Sequence, residues 1–189
     1  GIWQTVWLEP VAAAGIAAVK VTPDFDAGTV EINVKTFQSE PGRSARFEIR
    51  TAGSLVNQLE TVSLENVIME VKNFQAWSPD DPYLYDLEIK LLNGNRVIDS
   101  IQTYFGMRKI SIGKDDKGIN RFLLNNKPLF QLGPLDQGFW PDGIYTAPSD
   151  EALRHDIEIM KKLRLNMVIK HFKIEPERWY YWCDKLGLL

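Results

Sequence analysis

Residues 83–95 read YLYDLEIKLLNGN, and this stretch decides the fold of the first half of the chain. Tyr85, Leu87, Ile89 and Leu91 alternate with Asp86, Glu88 and Lys90. A period of two sends successive side chains to opposite faces of a strand, one toward a core and one toward water. Asn93-Gly94-Asn95 then breaks the run, as a hairpin turn does, because Asn and Gly reach the left-handed backbone that tight turns need. The alternation recurs upstream. Val30, Ile32 and Val34 are interleaved with Glu31, Asn33 and Lys35, and Ala45, Phe47 and Ile49 with Arg46, Glu48 and Arg50. PDFDAG and SEPG punctuate these runs. Short alternating strands separated by turns predict an antiparallel β sandwich of about 100 residues, here residues 9–110.

Beyond residue 118 the pattern changes. RFLLNNKPLFQLG reads as a short hairpin turning at Asn125-Asn126, with PLFQLG entering an apolar strand. A polar and aromatic loop, PLDQGFWPDGIYTAP, leads to SDEALRHDIEIMKKLRL. The latter is a helix capped by Ser149, with Asp150 and Glu151 at its positive end and Lys161, Lys162 and Arg164 at the other. Leu153, Ile157 and Met160 share one face. NMVIKHF follows as a compact strand, and EPERWYYWCDKLGL as a second helix, with Pro176 in the first turn and Gly187 as its stop. Strand, loop, helix, strand, loop, helix is βα repetition, the grammar of a parallel sheet with helical crossovers. A (β/α)8 barrel needs roughly 250 residues, so residues 111–189 supply two βα units of one. The chain therefore reads as a fragment of a larger enzyme, expected to self-associate through unpaired barrel-strand edges.

Composition narrows the function classes. The 189 residues carry a net charge of −3 and are 44% hydrophobic, which fits a globular chain. The absence of a basic excess argues against nucleic acid, and the lack of a run of about 18 apolar residues argues against a membrane span. The opening GIWQTVWLEP lacks the charged and apolar regions of a signal peptide. Cys183 is the one cysteine, which excludes an internal disulfide and a multi-cysteine zinc site. A lone cysteine suits a reducing compartment and equally an exported bacterial protein without disulfides. No nucleophile elbow, phosphate loop or zinc signature occurs, so neither cofactor nor metal is expected.

The residues that could carry chemistry lie in the second half. The loop after the first barrel-like strand holds Asp136, Gln137, Phe139, Trp140, Asp142 and Tyr145, and in βα barrels such loops build the active site. A Trp beside Asp and Gln suits a sugar, with the indole against C–H faces and the polar groups on hydroxyls. The competing reading is a surface loop with a buried aromatic anchor. His171, at the end of the second strand, is either a donor to a ligand or a structural histidine beneath a loop. His155 lies within the first helix and Cys183 among core aromatics. GKDDKG fails the calcium-loop spacing and reads as a turn. Asp136, Asp142 and Glu175 are the available carboxylates, and no pair of them is marked as the two that glycoside hydrolysis requires.

Four motifs, in order, resemble glycoside hydrolase family 2. GIWQTVWLEP is similar to the last strand of its jelly-roll sugar-binding domain, which assigns residues 1–8 to that preceding domain. WSPDDPYLYDLEIKL with YFGMRKI resembles the end of its immunoglobulin-like domain. FLLNNKPLFQLG resembles the hairpin that opens its catalytic TIM barrel, and NMVIKHFKIEPERWYYWCDKLGLL its second βα unit. The resemblance implies a retaining β-glycosidase of the β-galactosidase, β-glucuronidase or β-mannosidase kind. Its two catalytic Glu residues would lie beyond Leu189, so this chain would hold no catalytic residue and be inactive alone. His171 takes the place of a histidine at the sugar site. Asp136 and Trp140 are the further substrate-binding candidates. They would substitute for polar groups that the family places in this region, since Leu132 and Ile169 stand where it has arginines. The alternatives are a carbohydrate-binding module without catalysis and a structural spacer.

Overall fold

The computed structural model describes residues 6–39 and 41–189. The strand expected over residues 1–8 falls on residues 1–5, outside the described residues, and on 6–8, which have no regular secondary structure. The chain divides into two units, Glu9–Ala76 with Tyr83–Ile110, and Gly1–Leu8 with Trp77–Pro82 and Ser111–Leu189.

The first unit is built from β1 (Ile16–Asp24), β2 (Thr29–Thr36), β3 (Arg43–Thr51), β4 (Ser54–Thr61), β5 (Val67–Glu70), β6 (Tyr85–Asn93) and β7 (Arg96–Phe105). Among the described residues β1-β2-β5 form one sheet and β4-β3-β6-β7 another, and every pairing in both is antiparallel. Val30, Ile32 and Val34 from β2 and Val67 and Met69 from β5 meet Ala45, Phe47 and Ile49 from β3 and Tyr85, Leu87, Ile89 and Leu91 from β6 in one buried cluster. Two sheets sharing one core make a β sandwich, and the alternation at residues 30–34, 45–49 and 85–91 points inward as the sequence predicts. Asn93 pairs with Arg96, so Gly94-Asn95 closes the β6–β7 hairpin as a two-residue loop. On the outer face, charges replace apolar groups. Arg46 binds Glu60, and Glu48 accepts from Arg50 at 2.6 Å with Lys90 3.9 Å away.

The second unit contains β8 (Ile110–Lys114), β9 (Asn120–Leu124) and β10 (Lys127–Pro128), in the order β10-β9-β8. Asn125 and Asn126 turn the β9–β10 hairpin with φ of 53° and 64°, the left-handed conformation that Asn tolerates best after Gly. Next come β11 (Leu135–Asp136), α1 (Asp150–Lys162), β12 (Ile169–Lys170) and α2 (Glu177–Leu186). β11 and β12 pair in parallel.

The first strand of the parallel pair differs from the expectation. PLFQLG forms no regular strand, and the ladder begins at Leu135. Pro128 and Pro134 have no N–H to give it. Between them Leu132 O accepts from Asn166 N at 3.0 Å, and the Asn166 side chain adds two bonds, donating to Phe130 O at 2.8 Å and accepting from Leu132 N at 2.8 Å. Asp136 thus ends a strand rather than sitting inside the long loop.

The helices form as the sequence dictates. Ser149 accepts from Ala152 N at 3.2 Å, and Leu153 and Ile157 are buried. α2 follows Pro176 and stops at Gly187, whose φ is 80°. Trp179, Cys183 and Leu188 complete the helix-side core, with Trp140, Ala147, Met160, Val168, Trp182 and Leu186 around it. The helices are also clamped by charge. Asp150 accepts from Arg178 Nε at 2.7 Å, Arg178 Nη2 at 2.8 Å and Trp182 Nε1 at 2.9 Å, and these partners hold its carboxyl down at about 2. The Arg178 guanidinium lies over both Tyr181 and Trp182.

Trp77–Pro82 is a second departure. It interrupts the sandwich sequence yet belongs to the helical unit. Trp77 is fully buried there, donating from Nε1 to Asp184 O at 2.7 Å, while Asn125 Nδ2 donates to Trp77 O at 2.9 Å. Lys161 Nζ joins Pro79 O and Gly187 O at 2.7 and 2.8 Å.

Candidate functional site

The carboxyl ends of β11 and β12 lie side by side, because Leu135 pairs with Ile169 and Asp136 with Lys170. His171 N donates to Asp136 O at 2.8 Å and extends the ladder by one step. The segments after these ends therefore leave from the same edge.

A cluster of four charges fills the space beneath them. Lys170 Nζ bonds to Asp136 Oδ2 and lies 2.6 Å from Glu175 Oε1. Lys173 Nζ is an ion-pair partner of the other Glu175 oxygen at 3.1 Å and donates to Gly138 O at 2.8 Å. Glu175 is 5% exposed. Four charges in so little water are tolerated because each has an opposite neighbour. Lys170 also lies 4.6 Å above the Trp179 ring. Burial pushes the Lys170 ammonium down, but its bonds to Asp136 and Glu175 outweigh this and leave it raised. Burial likewise works to raise the Asp136 carboxyl, and Lys170 with the Gly138 amide brings it below its ordinary value. Asp156, reaching in from α1, is raised by burial and by the Asp136 charge.

Above the cluster, Gln137 Nε2 lies 3.2 Å from His171 Nδ1. The His171 ring lies tilted at 50° against Phe172, with centroids 3.7 Å apart. Phe172 is 88% exposed and has φ of 64°, which is uncommon for a bulky residue. Gly138 and Asp136 form a local turn, with the Gly138 N–H donating to Oδ1 at 2.7 Å, and Gly138 has φ of 66°. A Cβ at Gly138 would collide with Glu175 Oε1.

Of the three sequence candidates, His171 and Asp136 sit at this edge. His171 is half-exposed, and both Asp136 oxygens are engaged. Trp140 packs against the core of Leu153, Ile157 and Trp179, and its Nε1 is buried without a hydrogen-bond partner. Its backbone pairs with Ile144 in both directions, at 2.7 and 3.0 Å. The anchor reading describes this environment better than a platform open to solvent. Asp142 is exposed, as is His155 on α1. Glu175 carries an ammonium on each oxygen, the surroundings of a structural carboxylate. Sequence reasoning missed Lys170, Lys173 and the Gln137–His171 contact. The signal was available in KHFKIE, where two lysines and a glutamate stand in an otherwise apolar neighbourhood.

Among the described residues no group of His, Cys, Asp and Glu is arranged to hold a metal ion, and no helix is long and apolar enough to cross a membrane.

Fold and site define a β-sandwich module continued by a βα segment with a polar strand-end edge. The model of the glycosyl hydrolases family 2 matches residues 14–108, and the chain belongs to that family. It is 25% identical to a β-galactosidase of Streptococcus thermophilus over 201 aligned residues, covering 100% of this chain and 18% of that protein. A putative β-glucuronidase of Formosa agariphila is 28% identical, over 100% of this chain and 23% of that protein. The chain thus spans about a fifth of the length of these relatives. A β-glucuronidase structure from Ruminococcus gnavus superposes with a TM-score of 0.77 and 22% identity, covering 93% of this chain and 29% of that one, a likeness of fold.

Proposed function

We propose that this chain is the immunoglobulin-like sandwich and the opening of the TIM-barrel catalytic domain of a longer retaining β-glycosidase. The observation that carries the proposal is the strand-end edge, where His171 and Gln137 stand together on the parallel β11–β12 pair. The chain's short span of its relatives supports placing the catalytic glutamates outside it. The lysine pairs on Glu175 and Asp136 support the same view, since neither carboxylate is free to act as acid or nucleophile. His171 is the residue that meets the sugar. Asp136 serves it through Lys170, and Trp140 supports the loop from its buried side. Carbohydrate is the partner, of the galactoside or glucuronide type that the relatives' names suggest.

The sandwich itself is assigned a spacer role. Tyr85 is buried, at 4% exposure, and the outer face of the β4-β3-β6-β7 sheet carries ion pairs. That is a poor platform for a glycan, which stacks on exposed aromatics.

The test is an activity screen of the 189-residue chain and of the longer protein encoded by its gene against chromogenic β-galactosides, β-glucuronides and β-mannosides. The longer protein is expected to be active and this chain inactive. Turnover by the chain alone would overturn the proposal. In the active protein, His171→Ala should cost about 1–3 kcal/mol of transition-state binding, a loss of roughly 5- to 150-fold in kcat/KM.

A further inference from the structure

We propose that Lys170 is a positioning residue for His171. Held between Asp136 and Glu175, it fixes the two strand ends so that Gln137 sets the neutral imidazole as the Nε2–H tautomer. The proposal rests on the reading of His171 as a sugar contact, and it assigns the chemistry of that contact: an N–H donor offered to a hydroxyl oxygen.

The geometry argues this from both sides of the Gln137–His171 pair. Gln137 is bracketed by Asp136 and Gly138. The Asp136 carboxylate binds Lys170 and the Gly138 amide, and Gly138 O binds Lys173. On the other side, Lys170 precedes His171 and Lys173 lies two residues beyond it, and both grip Glu175. Both halves of the pair are therefore tied to one charge cluster, and the pair has little room to slide. Gln137 turns its amide Nε2 toward the ring, and an amide nitrogen only donates; this orientation assigns the acceptor role to His171 Nδ1 and the ring proton to Nε2. A buried ion cluster is a poor source of stability compared with apolar residues of the same volume. Its use here is to hold a fixed geometry, as the outer partners of functional histidines do elsewhere. Gly138 fits the same account, because its positive φ and its contact with Glu175 leave no place for a side chain.

The test reads the tautomer directly. The 189-residue chain is labelled with 15N-histidine, and its two histidines are told apart with the exposed-site variant His155→Gln. At alkaline pH, long-range 1H–15N spectra should show His171 Nε2 at a pyrrole-type shift and Nδ1 at a pyridine-type shift. Gln137→Ala, which alters an exposed residue, should move both nitrogens toward the averaged shifts of a mixed tautomer. Lys170→Met should do the same. If Lys170→Met does not fold, Asp136→Asn carries the question, since Lys170 keeps Glu175 there while its hold on β11 weakens. A wild-type ring that is mixed or protonated on Nδ1 would overturn the proposal. So would wild-type shifts in folded Lys170→Met, or in Asp136→Asn where it stands in. The readout involves no sugar, so failure of the glycoside screen and failure of the positioning role appear in different experiments.

Discussion

Two aspartates on α1 respond to their surroundings in opposite directions. Asp150 is stabilised in its charged form by Arg178 and Trp182, which bring it from 3.8 to about 2. A carboxyl lowered on folding contributes stability above its unfolded value, and that contribution disappears as pH falls through the folded value. Asp150→Asn should therefore lower the melting temperature at pH 7, with the gap to wild type closing as pH approaches about 2. Asp156 is raised above 3.8 by burial and by Asp136. The folded state then favours its neutral form, so its charge opposes folding at neutral pH and the opposition vanishes below 3.8. Asp156→Asn should raise the melting temperature at pH 7 and make no difference in acid. Thermal unfolding of both variants between about pH 2 and pH 7 checks the two slopes together.

At the scale of elements, periodicity was legible and backbone substitution was not. The inward sets of β2, β3 and β6 and the buried face of α1 could be read because burial repeats at the spacing of the element itself. The Asn125-Asn126 turn and the Gly187 stop were equally plain, because few residues tolerate positive φ. The β3–β4 turn was not, since Ala52 takes φ of 45° beside Gly53 and alanine gives no hint of it. The first parallel strand was misplaced for a different reason. An apolar run suggested a regular ladder, but two prolines interrupt it and the side chain of Asn166 takes the Leu132 N–H. Asn166→Ala should loosen residues 130–132 and cost about 1–2 kcal/mol for two bonds, lowering the melting temperature by roughly 2–8 °C. Hydrogen exchange at Leu132 N, which loses its acceptor, would localise the effect. At the strand ends, His171 and Asp136 could be picked out by position and Glu175 as a carboxylate, whereas the pairing of Asp136 and Glu175 with Lys170 and Lys173 could not. Their meaning depends on a register that joins Asp136 to Lys170 across a separation of 34 residues, which one sequence does not display.

At the scale of the whole molecule, the division into units does not follow chain order. Trp77–Pro82 lies between two strands of the sandwich and serves the helical unit. Trp77→Phe should cost about 1 kcal/mol by losing the bond to Asp184 O, and Trp77→Ala about 3–5 kcal/mol. Both effects should appear in the indole and methyl signals of α2, read by two-dimensional NMR during thermal unfolding. An unchanged α2 would detach Trp77 from that unit.

The same excursion sets a rule for inheritance. Trp77 bonds to the backbone carbonyl of Asp184, which any residue there provides, so that contact survives sequence drift at 184. Gly187 is different. A Cβ on it would strike Pro79 O, a backbone carbonyl that any residue at 79 presents, so the demand falls on position 187 itself, where a φ of 80° also asks for glycine. A gene crossover between codons 83 and 110 would pair a loop from one ancestor with a helix stop from another. Lineages that exchange sandwiches this way keep a working helical unit where the recipient has retained that glycine.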